Sequence, residues 1–101
     1  RQLPLTMIAS ITAEDVARRF KIAGKGSLTI GTDADLALVD LADRSILESS
    51  DLFYRHRHSP YLGKTLHGRV VRTLVRGTTV FMNGKVDPAP IGRLLTPRRA
   101  E

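Results

Sequence analysis

The stretch GRVVRTLVRGTTVFMNGKV, residues 68–86, constrains the fold of this chain more than any other segment. Its first half is rich in β-branched residues and is bounded by Gly68 and Gly77. Its second half places Asn83-Gly84 between two apolar runs. A two-residue type I′ turn needs positive φ at both central positions, and Asn-Gly meets that need best. The stretch therefore predicts antiparallel strands, with a hairpin at Asn83-Gly84.

Two earlier segments extend the strand pattern. SLTI, residues 27–30, reads as a short strand ended by Gly31. DLALVDL, residues 35–41, sets Leu36 and Leu38 on one face and Ala37 and Val39 on the other. Apolar residues on both faces predict a central strand covered on both sides. DRSILESSDLFYRHRH is mixed and gives no clear period. The tail after Val86 carries Pro88, Pro90 and Pro97 and is expected to be extended and irregular.

Before Gly24 the pattern is helical. Pro4 suits a first helical position, and Leu5, Ile8 and Ala9 share one face. A second helix is expected from Thr12, a good N-cap with Asp15 three residues on. Ala13, Val16, Ala17 and Phe20 form its apolar stripe, and Arg18, Arg19 and Lys21 favour its negative end. Gly24 and Gly26 are expected to stop it. The sum is two helices and then five or six short strands, a thin architecture that leaves sheet edges and one face open.

Composition narrows the function. The 101 residues suffice for one small domain, and 42% hydrophobic with 26% charged content describes a soluble, globular chain. No apolar run reaches the length of a membrane span, and RQLPLTMIAS lacks the apolar core of a signal peptide. Cysteine is absent, which excludes disulfides, thiolate metal sites and a cysteine nucleophile, and suits a cytoplasmic protein. The net charge of +6 permits an anionic partner, but the cations are scattered and aromatics are 5%, so no nucleic-acid role is expected.

The chemistry-bearing candidates are few. AGKGS, residues 23–27, fails as a phosphate loop: Arg19 and Gly26 occupy required positions and the segment follows a helix. Asp33 and Asp35 lack the third ligand, glycine and distal glutamate of a calcium loop, and read as turn residues. No serine among Ser10, Ser27, Ser45, Ser49, Ser50 and Ser59 sits in a nucleophile elbow. His56 and His58 have metal-like spacing, yet Arg55 and Arg57 flank them and no acidic residue is near. His67 lies nine residues further on, past Pro60 and Gly63. The residues themselves yield no catalytic, cofactor-binding or metal site.

Longer patterns carry a resemblance. KGSLTIGTDADLALVDL, preceded by TAEDVARRFKI, resembles the K-G-x-[IL]-x-x-G-x-D-A-D-[LIV]-x-[LIV]-x-D segment near the C-terminus of the amidohydrolase superfamily. HRHSPYLGKTLHGRVVRTLVRGTTVFMNGKV and the later GRLL resemble the succeeding segment of the cyclic amidohydrolases, the branch holding allantoinase, dihydroorotase and hydantoinase. Within that branch the likeness is greatest to the allantoinases. The resemblance implies a C-terminal region: residues 1–22 as the last helices of a (β/α) barrel, and 23–101 as part of a composite β-sandwich plus an irregular tail. It implies a parent hydrolase of cyclic amide C–N bonds that holds zinc or another divalent metal pair. The motifs for those ligands and for catalysis have no counterpart in this sequence, so the chain is not expected to be catalytic alone. The expected partners are the rest of the parent (barrel and N-terminal strands) and further copies in a homo-oligomer. A rival reading is a stand-alone assembly or anion-binding module.

Overall fold

A computed structural model describes residues 3–98. The chain begins with a single helical rod. It runs as α1 (Leu5–Ala9), a π-helical turn (Ser10–Glu14) and α2 (Asp15–Arg19). The two expected helices are thus one. Ala9, Ser10 and Glu14 all keep right-handed helical angles, and Thr12 caps nothing. Its hydroxyl instead donates to the Ile8 carbonyl at 2.7 Å, one turn back. A threonine can satisfy its hydroxyl this way inside a helix, so the N-cap signal and the mid-helix role share one residue type.

The helix also ends earlier than the glycines suggest. Lys21 takes a left-handed φ of 53°. The Ile22 N–H donates to Ala17 at 2.9 Å and the Lys21 N–H to Arg18 at 3.2 Å. Those paired bonds are a Schellman closure with lysine in the place usually given to glycine. Gly24 and Gly26 come after the stop, not at it.

Residues 28–29, within the predicted SLTI strand, form no strand, and Leu28 and Ile30 stand 83% and 108% exposed. The sheet has four antiparallel strands: β1 (Leu36–Ile46), β2 (Thr65–Val75), β3 (Thr78–Met82) and β4 (Lys85–Val86). They form a meander in the order β1-β2-β3-β4. Leu36 faces Leu74, and the register then shifts between Leu38 and Val39 and again between Asp40 and Arg44. β1 is therefore an edge strand and mostly exposed, not the covered central strand its two apolar faces predict. Apolar residues on both faces do mark surface to be covered, but nothing among the described residues covers it.

Both tight turns are type I′. Asn83 and Gly84 have φ of 48° and 80°, as the Asn-Gly pair requires. Arg76 and Gly77 repeat the geometry at 48° and 79°, in the two-residue link from β2 to β3. The β1–β2 connection, residues 47–64, folds back on itself. A 3-10 turn (Ser49–Asp51) is closed by the Glu48 N–H donating to the Asp51 carboxylate at 2.9 Å. Phe53 meets Phe81 of β3 edge-to-face at 6.1 Å.

Very little is buried. Only Ala17 and Leu52 fall below a tenth exposed among the described residues. The accessible surface is 8797 Å², whereas a compact protein of this mass exposes about 5,700 Å². The radius of gyration is 15.8 Å, against about 13 Å for a compact domain of this length.

Candidate functional site

The polar centre of the molecule forms where the chain turns back from the helix. Gly26, at φ 85°, lies directly on the helix. A β-carbon there would come 2.7 Å from the Ala17 Cβ and 2.8 Å from the Ala13 carbonyl oxygen. Only glycine lets the backbone come so near. That approach fixes Lys25 beside the helix with its side chain 14% exposed.

The Lys25 ammonium holds both carboxylates of the D-A-D segment. It lies 2.8 Å from Asp33 Oδ2 and also donates to Asp35 Oδ2. The Asp33 N–H donates to the Gly24 carbonyl at 2.9 Å, which closes the loop over residues 24–33. On its far side this segment receives the tip of the β2–β3 hairpin. The Arg76 N–H donates to Asp35 Oδ1 at 2.8 Å, and the Gly77 N–H donates to the Ala34 carbonyl at 2.9 Å. Asp33 and Asp35 lie in the irregular stretch just after the turn at residues 30–31; both carboxylates hold Lys25, and that of Asp35 also holds the hairpin tip.

The electrostatics of this clasp are those of a mutually stabilised ion pair. The hydrogen bonds it donates to Asp33 and then to Asp35 hold the Lys25 ammonium above its ordinary value. A nucleophilic lysine needs the opposite shift. The Lys25 hydrogen bond, and after it the Arg76 N–H, hold the Asp35 carboxyl below its ordinary range. A general acid working near neutrality needs the opposite shift here too. The cluster binds the chain to itself.

Beside the clasp runs an open groove of about 1000 Å³. Val16 of the helix, Leu28, Leu36, Val75 and Leu95 give it apolar walls, and Lys25, Asp33, Asp35 and Arg76 line it as polar residues.

The histidines are elsewhere. His56 and His58 are exposed on the 47–64 connection, where the His58 carbonyl accepts the Tyr54 hydroxyl at 2.8 Å. His67 is exposed on β2, across from Arg44 of β1. Among the described residues no three His, Asp or Glu side chains gather as metal ligands would. Two of the serines serve local structure: Ser10 donates to Asp15 at 3.1 Å, and Ser59 Oγ accepts the Tyr61 N–H at 3.1 Å. Among the described residues no helix is long and apolar enough to cross a membrane. Arg76 is a residue whose part the sequence does not announce. Its one signal is its place before Gly77 in a two-residue turn, where asparagine is the usual choice.

No family model matches the chain. Individual proteins do. An allantoinase of Rubrobacter xylanophilus is 50% identical over 99 residues, which are 98% of this chain and 22% of that protein. An allantoinase of Desulfitobacterium hafniense is 48% identical over the same shares. The solved L-hydantoinase (dihydropyrimidinase) from Arthrobacter aurescens superposes with a TM-score of 0.88 at 34% identity, over 93% of this chain and 21% of that one. The resemblance to cyclic amidohydrolases, greatest to allantoinases, thus holds over nearly the whole chain. The chain spans about a fifth of the length of the curated relatives it matches.

Proposed function

We propose that this chain is the C-terminal share of an allantoinase-like, metal-dependent hydrolase of cyclic amide C–N bonds, and that it supplies structure rather than chemistry. Residues 1–22 are the end of the parent's barrel, and 23–101 are its share of a β-sandwich with the tail. The observation that carries this reading is the 50% identity to an allantoinase across nearly the whole chain.

The fold supports it. The surface exceeds that of a compact protein of this mass by roughly 3,000 Å². Obligate interfaces bury about 2,000–5,000 Å² or more over both partners together, or about 1,000–2,500 Å² or more on each, so the excess is large enough for one side of a contact with a permanent partner. The open edge of β1 and the exposed side chains of Leu28 and Ile30 supply that contact. The rest of the parent is the partner, and a homo-oligomer of the complete enzyme is the expected assembly.

The metal pair expected of such an enzyme has no matching donor set among the described residues. His56, His58 and His67 are exposed and ungathered, and the carboxylates of Asp33 and Asp35 already hold Lys25. No catalytic step is assigned to this chain.

The reading frame upstream of Arg1 gives the direct test. A barrel with an H-x-H metal motif in frame supports the proposal, and a natural start codon at this point overturns it. The protein made from the complete frame should open allantoin in preference to dihydroorotate or hydantoin. Preference for either of the others would refute the allantoinase-like assignment while keeping the branch.

A further inference from the structure

Three residues other than glycine take left-handed angles among the described residues: Lys21, Arg76 and Asn83. Asn83 needs no comment, because asparagine is the residue its turn favours. Lys21 and Arg76 are different. Both carry long side chains in a conformation that is unfavourable for an ordinary L-residue. Strain of this kind persists where the surroundings over-determine it, and it marks positions with a further role.

The two share a role. The Arg76 guanidinium donates to the carbonyl of Ile91. The Lys21 carbonyl accepts the N–H of Arg98 at 3.0 Å. Both are anchor points of the same segment, the tail beyond β4. We propose that residues 87–98 form a strap that holds the helical rod to the sheet, with Arg76 as its positioning residue.

The geometry gives the strap work to do. No Cα of the rod comes within 8 Å of a strand Cα. Among the described residues, helix and sheet meet through the 22–35 segment and through this tail. Arg76 serves both routes at once. Its backbone N–H holds Asp35, which holds Lys25 beside the helix, and its side chain holds Ile91. Gly92, Arg93 and Leu95 of the tail then line the groove between helix and sheet.

The tail is anchored at its start and stiffened along its length. It starts under control: the Asp87 N–H donates to Val80 of β3 at 2.8 Å, and Asp87 Oδ1 accepts the Ala89 N–H at 2.9 Å. Pro88, Pro90 and Pro97 fix φ along its length, so it loses less freedom on being held in place. This also explains why arginine stands where Asn83 shows the turn prefers asparagine. Asparagine would make the better turn but could not reach Ile91.

The test is hydrogen exchange on the intact natural protein, with Arg76→Asn and Arg76→Lys. Arg76→Asn keeps the backbone N–H to Asp35 and suits the turn, but removes the guanidinium. The amides of Arg98, Phe20 and Ile22 should exchange about ten- to a hundred-fold faster, the loss expected for one hydrogen bond to a charged group. The β2–β3 ladder amides should keep their rates or slow. Arg76→Lys keeps a cation and should restore part of the protection. An unchanged Arg98 amide in Arg76→Asn would overturn the proposal. So would hairpin amides that accelerate as much as the tail, because Arg76 would then be a turn residue only. If Arg76→Asn does not fold, the turn itself needs arginine and the proposal falls.

Discussion

Replacing Gly26 with alanine should destabilise the helix end about twice as much as the same change at Gly24. Both glycines sit at positive φ, 85° and 72°, so both substitutions carry the left-handed cost of a β-carbon, about 1–2 kcal/mol. The surroundings differ. A β-carbon at Gly24 meets nothing within 4 Å. At Gly26 it meets the Ala17 Cβ at 2.7 Å and the Ala13 carbonyl at 2.8 Å. Neither contact is the flexible end of a side chain, so the loop must lift from the helix. Overpacking of that kind costs roughly 1–3 kcal/mol. The totals are about 1–2 kcal/mol for Gly24→Ala and about 2–5 kcal/mol for Gly26→Ala. Urea unfolding followed by far-ultraviolet circular dichroism measures both. Ala17→Gly, combined with Gly26→Ala, should recover part of the loss by opening the 2.7 Å contact, a coupling that a double-mutant cycle isolates. Equal losses at Gly24 and Gly26, or no coupling to Ala17, would refute the close approach as the cause.

The clasp predicts a pH profile with two limbs. Asp35 is held below its ordinary 3.8, so its contribution is complete above that value and is lost as the pH falls through the lowered folded value. Lys25 is held above its ordinary 10.5, so its contribution is complete below that value and is lost as the pH rises through the raised folded value. Asp35→Asn should flatten the acid limb of a stability–pH curve, and an acid limb of unchanged depth would show that other carboxylates carry it. If the proposed complete enzyme holds metal, alanine at both His56 and His58 should leave that metal unchanged by elemental analysis, and loss of stoichiometric metal with the fold intact would return the pair to the metal site. Light scattering of this chain alone should show self-association that grows with concentration, through the β1 edge and the uncovered apolar walls. A strictly monomeric species at high concentration would count against that surface.

Local chemistry was legible in the sequence where one residue pair carries the whole instruction. Asn83-Gly84 specified its turn, and the β-branched run ending at Val75 specified its strand. Signals that depend on what lies across from them were not legible. SLTI has strand composition, but a strand exists only with a partner, and none of the described residues pairs with it. The two apolar faces of β1 stated a need for cover, not that the cover lies within this chain. Thr12 fits an N-cap and a mid-helix hydroxyl equally, and the backbone angles at Ser10 and Glu14 decide between them. The glycines near the helix end were legible as glycines, but their separate roles were not: Lys21 makes the stop and Gly26 the contact. For the candidate site, the D-A-D carboxylates and Lys25 were visible singly. Their meeting needed the close approach at Gly26, and the role of Arg76 needed a hairpin tip brought from 41 residues away.

The near absence of a core has a consequence for the life of the protein as a newly made chain. Ala17 and Leu52 are its only well-buried apolar side chains among the described residues, while Leu28, Ile30 and Leu94 stand almost wholly in solvent. Such surfaces are what chaperones bind and proteases find. On the proposed reading, quality control treats this segment as unfinished until the rest of the parent covers it. Its abundance would then follow the speed of docking, and substitutions far from any catalytic group would act by changing how long the segment waits.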